Sequence, residues 1–514
     1  LAGGEDFQGR GPLPILNVGL LSQKSILQLL LERARRVLHL VSIHKPHNPV
    51  KPQAPIYVLC NQGNCETIRK FLEENDFFGL DASMVDCFPH NESPYVDDDL
   101  LLMKSKKEIW TGPGGHGKVF QAMTSMSIYS EMRVRGLHNL YIIPSNNLAS
   151  KIFDPKFIGY CHVVKATEDR SAGIKLTEKL EPDEGFGLLF RNQRVKDGKK
   201  THGPALIESC EIPLGDAARK EPIGGQLYYR FASLCEFYIG LKNVDRFETA
   251  VAKQAHFIPK KVPYLSLAEE TKGETIEPSP EAPPNCNHMV SYIGDIFDEC
   301  DTAAGLVVDR EEYMVIKEDD PRLSAELAAA KFSQLHQQWC VDAGGQFMEG
   351  QWANESTRER CEISPLVSFE GEGLLGYFAA GVMIPLPLHL TSEHDRPVPE
   401  QGAEPLLGGG GNMVQVDINR RDQFRLRPST DMAVALKSAF GPRKGAHITG
   451  AWQQEFVGME AYGDERLSSA RTSEWDRVEE KERAQAEIQA AEQKLQKGLS
   501  RSALSVSRMS NISD

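Results

Sequence analysis

Long apolar runs are missing from this sequence, since none reaches the ~18 residues that a membrane-spanning helix needs. An excess of positive charge is missing too, because 58 Lys and Arg residues face 72 Asp and Glu residues and the net charge is -14. Attraction to nucleic acid or to an anionic membrane surface is therefore not expected. The 10 cysteines include no Cys-x-x-Cys pair, which argues against a zinc site or a disulfide framework and favours a reducing compartment. We expect a cytoplasmic protein.

The composition that remains is that of an ordinary soluble protein, with 40% hydrophobic and 25% charged residues. A chain of 514 residues is long enough for two or three domains. Apolar residues at helical spacing predict helices over residues 24–40, 66–75, 117–135 and 321–340. Short apolar runs predict strands at residues 54–60 and 140–144, and a stretch rich in Glu, Pro and Ser predicts a surface loop at residues 269–287. This alternation predicts an α/β fold with a mixed, mostly parallel sheet.

The first four residues, Leu1, Ala2, Gly3 and Gly4, have the pattern of a buried strand that ends in a turn of two glycines. Glycine permits positive φ and lets a ligand approach the main chain closely. Such a turn after the first strand of an α/β sheet often binds phosphates or a nucleotide. It is also often only a tight turn, so both interpretations stay open on these residues alone. Because the chain starts in mid-strand and without Met, we expect it to be a segment of a longer protein.

Further stretches match one family in the same order along the chain. They lie at residues 18–22, 77–80, 154–159, 260–264, 343–347 and 361–368. Together with residues 1–4, they resemble the UDP-sugar pyrophosphorylase family, and within it the UDP-N-acetylglucosamine (UDP-N-acetylhexosamine) pyrophosphorylase branch. The resemblance runs to about Leu375 and implies a GT-A-like, Rossmann-type nucleotidyltransferase core.

Three regions follow from where this resemblance ends. We predict a nucleotidyltransferase-like domain over residues 1–375, a divergent C-terminal region with a Gly-rich hinge over residues 376–470, and a charged helical tail over residues 471–514. In the tail, a narrow apolar seam is formed by Ala484, Ile488, Ala491 and Leu495. Such a helix is marginal by itself. It is either a solvated, partly frayed helix or a C-terminal helix that docks on a protein partner.

The resemblance also implies a reaction and a set of binding residues. A sugar 1-phosphate attacks UTP and pyrophosphate leaves, while cations and Mg²⁺ offset the charge on the phosphoryl oxygens. The substrate-binding residues that it implies are Leu1, Ala2, Gly3, Gly4, Gly115, Glu208 and Lys317. Gly115 lies in a Gly-rich stretch, residues 112–118, that resembles the loop which holds the base. A P-loop is not predicted there, because Val119 follows Lys118 where Ser or Thr is required.

The charged positions of the family pattern are mostly replaced in this chain. Gln8 and Ile15 stand where the family has its phosphate-binding arginine and lysine, with Arg10 as a nearby substitute. Asn146 stands for the metal-binding aspartate and offers Mg²⁺ only a neutral amide. His288 stands for a second phosphate-binding lysine and is mostly neutral at pH 7. We therefore assign no catalytic residue and no metal ligand.

These replacements predict a pyrophosphorylase-fold protein that lacks the activity, has no cofactor and has a structural or scaffolding role in a larger assembly. One alternative is a working UDP-N-acetylglucosamine pyrophosphorylase that uses Mg²⁺. Another is a nucleotide-sugar sensor that binds a UDP-sugar without turnover. A cavity filled by Phe7, Tyr229 or Lys118 favours the scaffold, whereas an open cavity with Arg10 pointing into it favours the enzyme.

Overall fold

The structure is a computed structural model that describes residues 7–44, 54–97, 100–196, 199–222, 224–266, 273–318, 320–347, 360–378, 382–392, 414–419 and 423–427. Within these residues, no helix is long and apolar enough to cross a membrane. The predicted Gly-rich hinge at residues 408–411 and the predicted tail at residues 471–514 lie outside the described residues.

The helices form where the sequence places apolar residues on one face. In the first helix, Ile26, Leu29 and Leu31 are completely buried, and the hydroxyl of Ser25 accepts a hydrogen bond from the N–H of Gln28 at 3.2 Å, which satisfies one of the unpaired donors at the helix start. The α-helices are α1 Ile26–His44, α2 Cys65–Glu74, α3 Lys118–Ser125, α4 Ile128–Val134, α5 Pro155–Val163, α6 Leu214–Ala217, α7 Val244–Lys253 and α8 Ala325–Asp342. The predictions at α1, α2 and α8 are confirmed.

The helix predicted over residues 117–135 is wrong as a single element. It divides into α3 and α4 because Ser127, between them, has a φ of 59° and therefore leaves the right-handed helical conformation. Both halves still bury their apolar face, with Phe120, Met123, Ile128 and Met132 in one core. The apolar spacing indicated the burial correctly, but it gave no sign of the break.

The strands confirm the two predicted positions and add many others. They are β1 Ile56–Asn61, β2 Val85–His90, β3 Glu92–Asp97, β4 Leu100–Leu101, β5 Met103–Ser105, β6 Glu108–Ile109, β7 Thr111–Pro113, β8 Asn139–Ile142, β9 Ser171–Glu178, β10 Leu188–Lys196, β11 Lys199–Ile207, β12 Phe231–Gly240, β13 His256–Lys260, β14 Tyr264–Leu265, β15 Thr275–Ile276, β16 Cys286–Val290, β17 Thr302–Val307, β18 Gly345–Gln346, β19 Cys361–Ile363, β20 Val382–Met383, β21 Leu388–Ser392, β22 Val414–Asn419 and β23 Gln423–Arg427. Strand β15 and the first two residues of β16 fall within the stretch that was predicted to be a surface loop.

A six-stranded sheet has the order β11-β10-β12-β9-β17, with β8 also paired to β12. The predicted mixed α/β fold is confirmed, but the pairing in this sheet is not mostly parallel. Only β17 and β9 pair in parallel there, whereas β10–β11, β10–β12, β12–β9 and β12–β8 are antiparallel. A tight connection such as the one between β10 and β11 can join only antiparallel neighbours. Parallel pairing also joins β1 to β2.

One large core packs α3, α4 and α7 against the six-stranded sheet. Phe120, Phe237, Phe247 and Phe297 lie in it with no exposed surface. Burial of each such side chain contributes roughly 1.5–3 kcal/mol. This core holds the sheet and the loops at its edge in one arrangement.

A buried cluster of charges lies on the other side of β9. Lys175 has no exposed surface, and its Nζ lies 2.7 Å from Asp154, 2.8 Å from Glu236 and 3.2 Å from Glu312. A lysine is buried without large cost only when carboxylates compensate its charge. The cluster therefore ties β9 to the start of α5, to β12 and to the chain just before Tyr313.

Residues 360–378 pack directly on the segment that precedes α1. The N–H and the hydroxyl of Ser22 donate to the carboxylate of Glu362 at 2.8 and 2.5 Å, and the buried Arg360 donates to the carbonyl of Gly19 at 3.0 Å. These contacts join the segment around β19 to the α1 region. The predicted domain boundary near Leu375 stays a prediction.

Candidate functional site

A cavity of about 540 Å³ opens at the edge of the six-stranded sheet. This volume is within the usual range for sites that bind small molecules. Its walls come from distant parts of the chain, among them the turns near Phe7 and Pro14, the Gly-rich loop before α3, the turn after β8, the middle of β12, and the segment from Tyr313 to Glu318. Residues that are far apart in the sequence thus face one space.

The Gly-rich loop lies close against residues 291–293. At Gly115, φ is +83°, and an added Cβ would lie 2.4 Å from the carbonyl oxygen of Ser291. The N–H of Gly117 donates to the same carbonyl at 2.9 Å, and the N–H of Ser291 donates to Gly114 at 3.0 Å. Only glycine fits the position of Gly115, because a side chain would meet backbone that cannot move aside. The loop therefore offers main chain and no side chain at this point of the cavity wall.

His116 lies next to Gly115 and also lines the cavity. Its Nδ1 accepts a hydrogen bond from the N–H of Ile293 at 3.0 Å. Burial lowers the pKa of His116 to about 4, and the nearby charge of His256 acts in the same direction. The ring is therefore neutral at physiological pH, and its Nε2 carries the proton. This wall presents uncharged groups, which suits a nucleobase better than a phosphate.

A second part of the cavity wall carries the charged residues. Glu208 follows β11, and Lys317 lies in the segment after β17. Burial raises the pKa of Glu208 to about 7; Glu211 adds to the rise, whereas His256 and Lys317 oppose it. An added Cβ at Gly187 would lie 3.1 Å from Oε1 of Glu208, and one at Gly185 would lie 3.7 Å from Nζ of Lys317. These two glycines leave the carboxyl group and the ammonium group room to face the cavity.

A β-bulge in β12 supplies part of the cavity floor. The register between β12 and β9 shifts between Ser233 and Glu236, and Cys235 within the bulge has a φ of 57°. Its N–H donates to the hydroxyl of Ser233 at 3.0 Å, and Ser233, Leu234 and Cys235 all line the cavity. Bulges often redirect side chains beside functional sites. No sequence signal marked these residues, because a bulge depends on the pairing of two strands.

The cavity contains little positive charge. Among the lining residues that the structure describes, Lys317 is the only lysine or arginine, and Glu208 and Glu318 are the carboxylates. Burial also lowers the pKa of the lining residue His90. Asn146 lines the cavity, and its amide nitrogen donates to the carbonyl of Ile316 at 3.4 Å. Within the described part of the chain, no three His, Cys, Asp or Glu side chains are placed to hold a metal ion.

A family profile described as UTP–glucose-1-phosphate uridylyltransferase matches residues 16–337. This match covers more than half of the 514 residues. The chain belongs to the UDP-sugar pyrophosphorylase family. Among its relatives, human UDP-N-acetylhexosamine pyrophosphorylase-like protein 1 is 29% identical over 383 residues, which are 71% of each chain. UDP-N-acetylglucosamine diphosphorylase 1 of Arabidopsis thaliana is 26% identical over 387 residues, which cover 73% of this chain and 70% of the relative.

Solved structures of this family share the fold. The uridine diphosphate N-acetylglucosamine pyrophosphorylase of Trypanosoma brucei, solved with an inhibitor, superposes with a TM-score of 0.59 at 24% identity, covering 75% of this chain and 77% of that chain. At this identity the likeness establishes the nucleotidyltransferase-type fold and not the activity.

Three of the residues that the family pattern assigned to substrate binding come together in the structure. Gly115, Glu208 and Lys317 all line the same cavity. Leu1, Ala2, Gly3 and Gly4 lie outside the described residues, as does the side chain of Gln8. The predicted role of Leu1, Ala2, Gly3 and Gly4 in substrate binding stays a prediction.

The residues that were considered as obstructions or substitutes lie mostly elsewhere. Lys118 points its Nζ toward Gln121 at 3.4 Å, and the ring of Tyr229 packs on Phe190 at 4.7 Å. Neither residue lines the cavity, although Phe7 does. Arg10 is exposed and is not among the lining residues.

The two remaining positions of the family pattern do not line the cavity. Ile15 packs with the core between α1 and α2. The ring of His288 stacks on Tyr95 at 4.3 Å. Neither residue is among those that line the cavity, so the structure places no phosphate-binding group at either position.

Proposed function

We propose that the cavity binds a UDP-sugar of the N-acetylhexosamine class, and that uridylyl transfer by this chain is far slower than the roughly 1–10³ per second of ordinary enzymes. The observation that carries the first part is the convergence of Gly115, Glu208 and Lys317 on one open cavity. The names of the relatives in the family support the choice of sugar.

Each wall of the cavity suits a different part of such a ligand. The neutral loop at Gly115 and His116 suits the base. Glu208, when ionised, accepts hydrogen bonds from sugar hydroxyls, which donate. Lys317 suits a phosphate oxygen, because an ammonium group forms a charge-assisted hydrogen bond with it. Glu208 and Lys317 line the same cavity and interact electrostatically, so one ligand with a sugar and a phosphate can meet both.

The second part of the proposal rests on the charge of the reacting groups. Uridylyl transfer builds negative charge on phosphoryl oxygens, and removal of one preorganised group that offsets such charge costs about 10²–10³ in rate. Among the described lining residues, Lys317 alone has a permanent positive charge, and Asn146 is a neutral amide. Neither Tyr229 nor Lys118 fills the cavity, as the alternative of an active uridylyltransferase requires, but Arg10, which that alternative also requires, is not among the lining residues. Binding without fast turnover reconciles both observations.

One experiment separates these functions. UDP-N-acetylglucosamine and UTP with Mg²⁺ are titrated into the full chain by calorimetry, and pyrophosphate release from UTP and N-acetylglucosamine 1-phosphate is measured on the same sample. We expect saturable binding of the UDP-sugar, weaker binding in Lys317→Met, and wild-type affinity in Lys253→Met, a matched change at an exposed lysine of α7. Pyrophosphate release at ordinary enzyme rates establishes the active alternative. Absence of all binding contradicts the proposal.

The structural role in a larger assembly is a separate proposal that rests on the sequence of the tail. The seam that includes Ile488 and Leu495 lies outside the described residues. We expect Ile488→Asp combined with Leu495→Asp to abolish capture of a partner protein while UDP-sugar binding is unchanged. Unchanged partner capture contradicts the docking role.

A further inference from the structure

A histidine beside the cavity is held between two carboxylates. Nδ1 of His256, the first residue of β13, lies 2.5 Å from Oε1 of Glu211. Its Nε2 lies 3.0 and 3.1 Å from the two oxygens of Asp295. A carboxylate only accepts hydrogen bonds, so both ring nitrogens must donate to satisfy these contacts. The geometry therefore requires the imidazolium form of His256.

This histidine connects the two walls of the cavity. Glu211 ends a short turn that starts directly after Glu208, and its N–H donates to the carbonyl of Glu208 at 3.0 Å. Asp295 lies in the segment Ile293–Glu299, whose first N–H donates to His116 at 3.0 Å. The His256 ring also packs on Tyr292 at 4.7 Å. A series of contacts thus connects the Gly-rich loop to Glu208 through His256.

Four charged groups act on Glu208, and the titratable side chains of Cys210, Cys235 and Tyr292 also interact with it. Glu211 and Asp295 disfavour its ionised form, and His256 and Lys317 favour it. Of these groups, His256 touches both acidic neighbours. The hydrogen bond to Asp295 raises the pKa of His256 to about 9 against the effect of burial, and the bond to Glu211 adds to the rise. Its positive charge is thus present across the physiological range.

We propose that His256 is a positioning residue of the cavity: it holds the turn that carries Glu208 and offsets part of the negative charge of Glu211 and Asp295, so that Glu208 meets the ligand as a carboxylate. This inference rests on the proposed UDP-sugar binding and adds to it a residue outside the cavity wall. His256 is not itself among the residues that line the cavity.

The test compares the pH dependence of binding in matched variants. His256→Gln keeps a hydrogen-bond donor and removes the charge, and His256→Arg keeps the charge. In the wild type, affinity for UDP-N-acetylglucosamine falls as the pH falls through about 7, where Glu208 takes up a proton. In His256→Gln the midpoint moves to higher pH. At pH values below both midpoints, the variant then binds more weakly than the wild type by about tenfold for each pH unit of that shift. His256→Arg restores the wild-type midpoint.

His202→Gln is the control, because His202 is an exposed histidine on β11; it leaves the midpoint unchanged. A wild-type midpoint in His256→Gln, or a uniform loss of affinity at all pH values, overturns the proposal. If the wild type binds no UDP-sugar at any pH, the proposed function fails separately. The ¹³C shift of the Glu208 carboxyl group, followed with pH in the ligand-free wild type and in His256→Gln, then decides: an upward move of its midpoint supports the role of His256, and no move refutes it.

Discussion

Replacement of Lys175 by methionine tests how much the buried charge cluster around β9 contributes to the stability of the fold. Nζ of Lys175 lies within 3.2 Å of three carboxylates, Asp154, Glu236 and Glu312, and has no exposed surface. Burial by itself would lower the pKa of Lys175, but the charges of Glu236, Glu312 and Asp154 overcome this effect and raise the pKa above its usual value. Lys175→Met keeps most of the volume and leaves the carboxylates without this cation. Removal of one partner of a buried pair costs about 3–5 kcal/mol.

The assay is the urea unfolding midpoint at several pH values. We expect Lys175→Met to lower the midpoint at neutral pH by the equivalent of about 3–5 kcal/mol. The loss should shrink toward pH 4–5, because the carboxylates left behind take up protons and are then no longer unpaired charges. Lys156→Met is the matched control: its side chain is 71% exposed and 2.9 Å from Glu370, so it costs about 0–1 kcal/mol. A loss below about 1 kcal/mol in Lys175→Met, or one that does not change with pH, refutes this reasoning.

Two further predictions concern the loop and the histidine. Gly115→Ala destabilises the chain by about 2–5 kcal/mol, because its Cβ would lie 2.4 Å from the carbonyl oxygen of Ser291 at a positive φ. Gly136→Ala is the control: its φ is +73° but nothing lies within 4 Å of the added Cβ, so it costs about 1–2 kcal/mol. Thermal unfolding of the two variants measures the difference. The pKa of His256 is raised from 6.5 in the unfolded chain to about 9 in the fold. Protonated His256 therefore adds about 1–3 kcal/mol to the free energy of unfolding below pH 6.5, and this stabilisation is lost as the pH rises through about 9. The stability gap between wild type and His256→Gln should therefore close above that pH; a constant gap contradicts the assignment.

The fold was largely predictable from the sequence because its signals are local. The apolar spacing of α1 and α8 and the ordered family stretches lead to a mixed α/β nucleotidyltransferase fold. The break at Ser127 and the antiparallel pairing of β10 with β11 depend on backbone conformation and on strand order. The break leaves no periodic pattern in the sequence, whereas the Asp-Gly dipeptide at residues 197–198 is a local signal for the antiparallel pair.

The site was only partly predictable for the same reason. Gly115, Glu208 and Lys317 were found through family spacing, and they do face one cavity. The bulge at Cys235 and the contacts of His256 join strands and turns that are distant in the sequence. Burial also decides the charge of His116, which residue identity alone leaves undetermined.

The most direct test of the central claim is a crystal structure of this chain with UDP-N-acetylglucosamine bound. We predict the uracil ring against the main chain of Gly115 and the ring of His116, a sugar hydroxyl donating to Glu208, and a phosphate oxygen within hydrogen-bond distance of Lys317. A ligand seated outside this cavity, or a cavity that stays empty at saturating ligand, would contradict the account.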